Sequence, residues 1–225
     1  MLPTNYQNLI NDYRSQFDIY YQELVSYNDK VNLTAIVERN DVFTKHFLDS
    51  ILAIDAIPQN ASIVDVGTGA GFPGLPIKIV RPDVEVTLVD SLNKRINFLN
   101  MLCQKLNVKS NNVHSRAEDF ARNNREKFDV AVARAVAKMN TLLEYLLPLV
   151  KVGGIVIAYK GSNIAEEFMD ASNALETLGG KILKSIRVDL PNDYGERNIV
   201  IIEKIKETPV KYPRGRNLPK TNPIT

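Results

Sequence analysis

Ser62-Ile-Val-Asp-Val-Gly-Thr-Gly-Ala-Gly-Phe-Pro-Gly74 decides the fold. Its first five residues form an apolar, largely β-branched run, the pattern of a strand buried on both faces of a parallel sheet. The glycines that follow let the backbone turn tightly and approach a ligand where a Cβ would clash. A helix is expected after Gly71, with Pro73 suited to its first turn. A buried strand, a glycine turn and a helix N-terminus form the nucleotide-binding corner of a doubly wound α/β sheet.

The spacing of the loop selects among nucleotides. A dinucleotide fingerprint, G-x-G-x-x-G, can be laid on Gly69, Gly71 and Gly74, but it starts too far from the strand. It also puts Pro73, which has no N–H, where a pyrophosphate needs donors. The register Asp65-x-Gly67-x-Gly69-x-Gly71 resembles motif I of the Rossmann-like S-adenosylmethionine (AdoMet) methyltransferases, in which the loop bends around the methionine part and an acid meets its amino end. Downstream, Val84-Glu-Val-Thr-Leu-Val-Asp90 reads as the next strand, ending 19 residues after Gly71. Asp90 can accept from both ribose hydroxyls or cap the helix opening near Leu92-Asn93.

With 225 residues and 44% hydrophobic content, the chain can bury one sizeable core and a small appendage. One cysteine excludes a disulfide framework and any cysteine-based metal site, and two histidines argue against a histidine-rich one. Without an early apolar segment or a run of membrane-spanning length, a cytoplasmic protein is expected. The net charge of +2 is unevenly spread: residues 1–60 carry −4 and the remainder +6. From Thr208 onward Lys211, Arg214, Arg216 and Lys220 stand among four prolines with no acid. Such a segment is expected to build no core, and to lie solvated on the surface or against an RNA.

Three units are expected: a helical cap over 1–60, a Rossmann-like domain over 61–207 and the basic tail 208–225. In the cap, the spacing of Leu9, Ile10, Tyr13, Phe17, Tyr20, Tyr21 and Leu24 predicts one amphipathic helix over Tyr6 to Tyr27. A second is expected from about Asp41 to Ala56, with His46, Asp49 and Ser50 on one face. Beyond the glycine loop, helices are expected over Leu75 to Val80 and Asn93 to Leu106, which places Cys103 on a packing face. A weak strand over Asn112 to Ser115 precedes Ala117 and Glu118. These are candidates to face an adenine, although Glu118 also reads as an ordinary first-turn residue. Phe128 to Ala133 is the fourth strand, with Arg134 at its carboxyl end, where ligands sit in open parallel sheets. Gly153-Gly154 is expected to turn into a strand over Ile155 to Tyr159, followed by one helix over Ile164 to Leu178. A hairpin over Ile182 to Leu190 and Asn198 to Ile205 closes the sheet. Seven strands with a final antiparallel one fit the class I methyltransferase variant of the fold better than the six-strand dehydrogenase order.

The turn Arg134-Ala-Val-Ala lacks the Asn/Asp-Pro-Pro-aromatic sequence of enzymes that methylate exocyclic amines, and methylation of pyrimidine C5 needs an attacking cysteine. What remain are acceptors with an available lone pair, such as a purine ring nitrogen, or oxygens activated in another way. Together, Asn32-Leu-Thr34, His46-Phe-Leu-Asp-Ser50, the glycine loop, Leu88-Val-Asp-Ser91 with Lys94-Arg95, Arg134-Ala135, Lys160-Gly161 and Tyr212-Pro-Arg214 resemble the glucose-inhibited division protein B family. This is the family of bacterial 16S rRNA guanine-N7 methyltransferases.

The resemblance implies AdoMet as cofactor, with contacts at Gly67, Phe72, Ala117, Glu118 and Arg134 beside Asp65, Gly69, Gly71 and Asp90 of the motifs. It implies 16S rRNA in the small subunit or an assembly intermediate as partner and guanine 527 as target; a monomer that binds no membrane is expected. His46, Asp49, Lys160 and Arg197 are candidates for positioning the base; Lys211, Arg214, Arg216 and Lys220 for holding RNA. Two departures stand out. Tyr27 replaces a tryptophan, and Asn217-Leu-Pro219 replaces Gly-Thr-Pro, where Asn can keep a left-handed turn. The competing readings are an assembly factor with a vestigial cofactor site and a nicotinamide-dependent oxidoreductase.

Overall fold

The computed structural model describes residues 4–162, 164–191 and 194–225. Its centre is a seven-stranded sheet: β1 (Ser62–Val66), β2 (Glu85–Asp90), β3 (Asn111–His114), β4 (Phe128–Arg134), β5 (Val150–Lys160), β6 (Gly180–Asp189) and β7 (Glu196–Lys204). The strand order is β3-β2-β1-β4-β5-β7-β6, with β7 antiparallel to both neighbours. The chain winds one way from β1 to β3 and the other way from β4, so a crevice opens at the carboxyl ends of β1 and β4.

Alternate strand residues feed separate cores. Ile63, Leu88, Val132 and Ile157 pack on one side with the N-terminal cap, α5 (Gly74–Val80) and α6 (Asn93–Leu106). Val64, Val89, Ala133 and Ala158 pack on the other with α8 (Met139–Leu146) and α10 (Ser172–Leu178). Also outside the sheet are α7 (Ala117–Asn123), whose first turn reaches the crevice, and α9 (Ile164–Asp170).

The cap departs from two uninterrupted helices. The first breaks at Tyr13 into α1 (Thr4–Asp12) and α2 (Arg14–Val31), and the Tyr6 hydroxyl on α1 donates to Asp55 at 2.6 Å. Phe17, Tyr20 and Leu24 on α2 are fully buried, as their spacing requires. The second stretch runs through α3 (Arg39–Asp41), a π-helical segment at Val42–Leu48 and α4 (Asp49–Ile51), then a 3₁₀ turn at Ile54–Ala56. The wider turns of a π-helix alter which carbonyls the helix itself uses; those of Lys45 and His46 also accept from Arg134, at 3.3 Å each.

Two further expectations are corrected. Gly153-Gly154 does not precede β5 but bulges within it: pairing jumps from Phe128↔Val150 to Val130↔Ile155, Gly153 takes φ +86°, and a Cβ on Gly154 would lie 2.6 Å from the Asp129 carbonyl. The helix over 164–178 is divided at Ala171 into α9 and α10.

The tail is folded, contrary to its composition. Tyr212 and Pro219 are buried, and α11 (Leu218–Thr221) packs on α8. Glu144, with 0% exposure, accepts from the Arg214 backbone N–H at 2.7 Å and from its Nη2 at 2.7 Å, while Thr141 Oγ1 donates to the Pro219 carbonyl at 2.8 Å. A buried carboxylate requires a partner, and the tail supplies one to Glu144 of α8. Arg214→Ala is therefore expected to cost about 3 kcal/mol and to lower the melting temperature by roughly 6–12 °C. Lys211→Ala, on the exposed face, should change stability by less than about 0.5 kcal/mol, both being read by urea and thermal unfolding.

Candidate cofactor and substrate cavities

The glycine loop is shaped by two carboxylates. Asp65, with 0% exposure, accepts from Thr68 Oγ1 at 2.7 Å and the Gly74 N–H at 2.8 Å, joining the two ends of the loop. Burial pushes its pKa up to about 6, against the pull of these two donors. Asp90 holds the middle, accepting from the Gly69 N–H at 2.9 Å, the Leu92 N–H at 2.9 Å and Arg95 Nη1 at 3.1 Å. The Tyr20 hydroxyl donates to the Ala70 carbonyl at 2.6 Å, and a Cβ on Gly71, at φ +105°, would lie 2.5 Å from that hydroxyl. The cap thus closes directly onto the loop.

A cavity of about 320 Å³ opens beside it, with Gly67, Asp90, Ala117, Glu118, Tyr145 and Asn217 among its lining residues. Gly67 has φ +73° and a Cβ there would lie 2.8 Å from Val136. The two acidic side chains, Asp90 and Glu118, are acceptors for ribose hydroxyls or an adenine amino group. These acceptors fit the adenosine part of AdoMet. A second cavity, of about 590 Å³, is lined by His46, Asp49, Arg134, Lys138, Lys160 and Arg197 among others. The two cavities share Ala135 and Val136, the turn after β4. Ala135 takes φ +56°, a conformation uncommon for a residue with a side chain.

The larger cavity is a fixed polar network. Arg134 Nη1 donates to Asp49 Oδ2 at 2.7 Å, and Arg197 Nε lies 3.2 Å from Asp49 Oδ1 in an ion pair without hydrogen-bond geometry. Arg134 Nη2 lies 3.4 Å from His46 Nδ1, and His46 Nε2 lies 2.9 Å from Thr34 Oγ1. Burial first, and the Arg134 charge second, push the His46 pKa down to about 3, so its ring is neutral. The ring stacks on Phe72 at 4.5 Å, and Phe72 stacks on Tyr20 at 5.4 Å. Lys160 pairs with Glu167 at 2.6 Å and donates to the Ala137 carbonyl at 2.7 Å.

Of the residues singled out in the sequence, Gly67, Asp90, Ala117 and Glu118 meet in the smaller cavity, and His46, Asp49, Arg134, Lys160 and Arg197 in the larger. Asp65 is enclosed behind the loop. Phe72 forms the floor under His46 and, at 5.1 Å, under the Arg134 guanidinium. Arg214 is engaged with Glu144, whereas Lys211, Arg216 and Lys220 are exposed. Lys138 and Asn217 are additions that the sequence reading missed. For Asn217, its left-handed turn was legible, but where the turn lands was not.

The sheet order with an antiparallel seventh strand, and an acid-lined cavity beside a glycine loop at the switch point, define a class I, Rossmann-like methyltransferase. The fold recurs in the solved structure of M. jannaschii TYW2 in complex with AdoMet (TM-score 0.55, 15% identity, covering 70% of this chain and 77% of that one). It recurs also in the Methanococcus jannaschii fibrillarin pre-rRNA processing protein (TM-score 0.54, 17% identity, 71% and 74%). The family described as GidB, rRNA small subunit methyltransferase G, matches residues 13–198. The ribosomal RNA small subunit methyltransferase G of Lactobacillus delbrueckii subsp. bulgaricus is 49% identical over 216 residues, covering 93% of this chain and 90% of that protein. That of Oenococcus oeni is 50% identical over 214 residues, covering 92% and 88%. The chain belongs to this family of AdoMet-dependent rRNA methyltransferases.

Because the folded Asp65 pKa of about 6 lies above the usual carboxylate value of 3.8, its contribution favours the folded state below about pH 4 and is lost as pH rises through about 6. Urea unfolding at intervals between about pH 4 and 7 should show this falling component in wild type and its absence in Asp65→Asn.

Proposed function

We propose that the protein transfers the AdoMet methyl group to N7 of guanine 527 in 16S rRNA, as the family resemblance implies. The observation that carries the chemistry is the state of the larger cavity: its one histidine is neutral with both ring nitrogens engaged, and its carboxylates and Lys160 are paired. Such a site suits an acceptor that needs no deprotonation, and guanine N7 carries a lone pair and no proton. Bound AdoMet supplies an electrophilic methyl group on a sulfonium.

In this reading, Asp90 and Glu118 hold the adenosine part, and the Gly67 backbone lets the cofactor pass close to the Ala135-Val136 turn. The larger cavity receives a base turned out of its RNA stack, and its volume of about 590 Å³ leaves room for the attached sugar. Arg134 and Arg197 hold Asp49 in place, and this carboxylate favours the positive charge that the purine acquires on N7 methylation. Lys138 at the rim is placed to meet phosphate. The rate then comes from alignment and from exclusion of water. The protein is read as a cytoplasmic monomer; no helix among the described residues is long and apolar enough to cross a membrane.

The direct test offers methyl-labelled AdoMet with small subunits and with free 16S rRNA, then maps the product by borohydride and aniline cleavage, which cuts at N7-methylguanine. Label at another position of the base, or none in either substrate, would refute the assignment. Calorimetry should show that Asp90→Ala weakens AdoMet about ten- to a hundredfold, the worth of a charge-assisted pair of hydrogen bonds.

Single-turnover rates at saturating substrate should stay nearly flat from about pH 7 to 9. His46→Asn should lower them through loss of the Phe72 stack without adding a slope. A tenfold rise per pH unit that the variant abolishes would instead make His46 a general base. Replacing Lys211, Arg216 and Lys220 with Gln should reduce the log–log salt slope of RNA binding by about 0.7 for each phosphate no longer neutralised on single-stranded RNA. An unchanged slope would remove these lysines and Arg216 from the interface.

A further inference from the structure

We propose that the C-terminal segment is a strap that completes the AdoMet pocket, with the Asn217 carboxamide as a ligand for the adenosine half of the cofactor. The inference rests on the AdoMet reading above and adds to it a residue from outside the Rossmann-like domain. Asn217 lines the smaller cavity together with Asp90, Glu118 and Tyr145. Its backbone carbonyl accepts from the N–H groups of Lys220 and Thr221 at 3.1 Å each, which accounts for the start of α11. Its carboxamide has no hydrogen-bond partner among the described residues.

The backbone that carries this carboxamide is held on both sides. Before it, Arg214 is locked to the buried Glu144, and Arg122 Nε donates to the Pro213 carbonyl at 3.3 Å. After it, Thr141 Oγ1 holds the Pro219 carbonyl at 2.8 Å. Glu144 and Thr141 lie on α8 and Arg122 on α7, the helix whose first turn carries Ala117 and Glu118 into the same cavity. Asn217 itself sits at φ 60°, ψ 16°, a left-handed conformation that Asn accepts more readily than most residues. The exposed Asn217 side chain therefore stands on a backbone that is fixed before the ligand arrives, and a preorganised backbone reduces the ordering that binding requires.

The chemistry also matches. The carboxylate oxygens of Asp90 and Glu118 serve as acceptors, whereas the edge of adenine presents ring-nitrogen acceptors as well as an amino donor. A carboxamide supplies both a donor and an acceptor, the combination that pairs with an adenine edge.

The test is calorimetric titration of S-adenosylhomocysteine and of 5′-methylthioadenosine, which lacks the amino-acid part, into wild type, Asn217→Gly and Thr141→Val. Glycine adopts the left-handed turn freely, so the ligand-free melting temperature of Asn217→Gly should match wild type. Its affinity for both ligands should fall about fivefold. Thr141→Val, which loosens the strap without touching the cavity, should weaken both ligands in the same direction. Wild-type affinity in both variants would overturn the strap while leaving the AdoMet reading intact, and a loss confined to S-adenosylhomocysteine would move Asn217 to the methionine end. Failure of wild type to bind either ligand would overturn the AdoMet reading and the strap with it.

Discussion

A buried carboxylate that forms no ion pair among the described residues underlies the site. Asp65 joins the Thr68 hydroxyl to the Gly74 N–H across the glycine loop, and one of its oxygens has no hydrogen-bond partner among the described residues. Burying an acid this way is unfavourable, as its raised pKa records. In return, the loop is held in the single shape that turns the Gly69 N–H to Asp90 and brings Gly67 to within a methyl group's distance of the Val136 turn. Glycine reaches the left-handed conformations of Gly67, Gly69 and Gly71 without penalty, and for the same reason leaves the loop other shapes, so the surrounding structure has to select one. Here the determinants are Asp65 beneath the loop, Asp90 beside it and Tyr20 above it.

The N-terminal cap is continuous with the carboxyl end of the parallel strands. Tyr20, Phe72 and His46 form a stacked column, and Arg134 at the end of β4 ties that column to Asp49, which Arg197 flanks from β7. Arg134 from β4 and Arg197 from β7 thereby converge on one carboxylate of the cap. A network of this density suits positioning better than proton transfer. Each group in it already has a partner, and the low His46 pKa follows from the same burial that orders the ring.

The tail extends this logic to the opposite face of the sheet. Its basic residues divide by partner: Arg214 faces inward to Glu144, while Lys211, Arg216 and Lys220 face solvent. A charge count cannot make that division, because it depends on where α8 presents an acid buried 70 residues away in sequence.

By itself, the sequence determined the elements whose signal is local. The β-branched run at Ser62–Val66, the glycine spacing after it, the acid ending β2 and the 3-to-4 spacing of Phe17, Tyr20 and Leu24 are patterns over a few residues. Each is dictated by backbone sterics or by the periodicity of one element. The left-handed turn at Asn217 was legible for the same reason. Tertiary structure alone decided the break at Tyr13, the π-helical turn beneath His46, the bulge at Gly153 and the folding of the tail. It alone decided that Asp65 supports the loop from behind, that His46 is neutral and that Asn217 reaches the smaller cavity. These outcomes depend on desolvation and on partners far away in sequence, such as Arg134 with His46 and Arg214 with Glu144, 88 and 70 residues apart. Burial and charge at a site are sums over everything packed around it, and no window of sequence contains that sum.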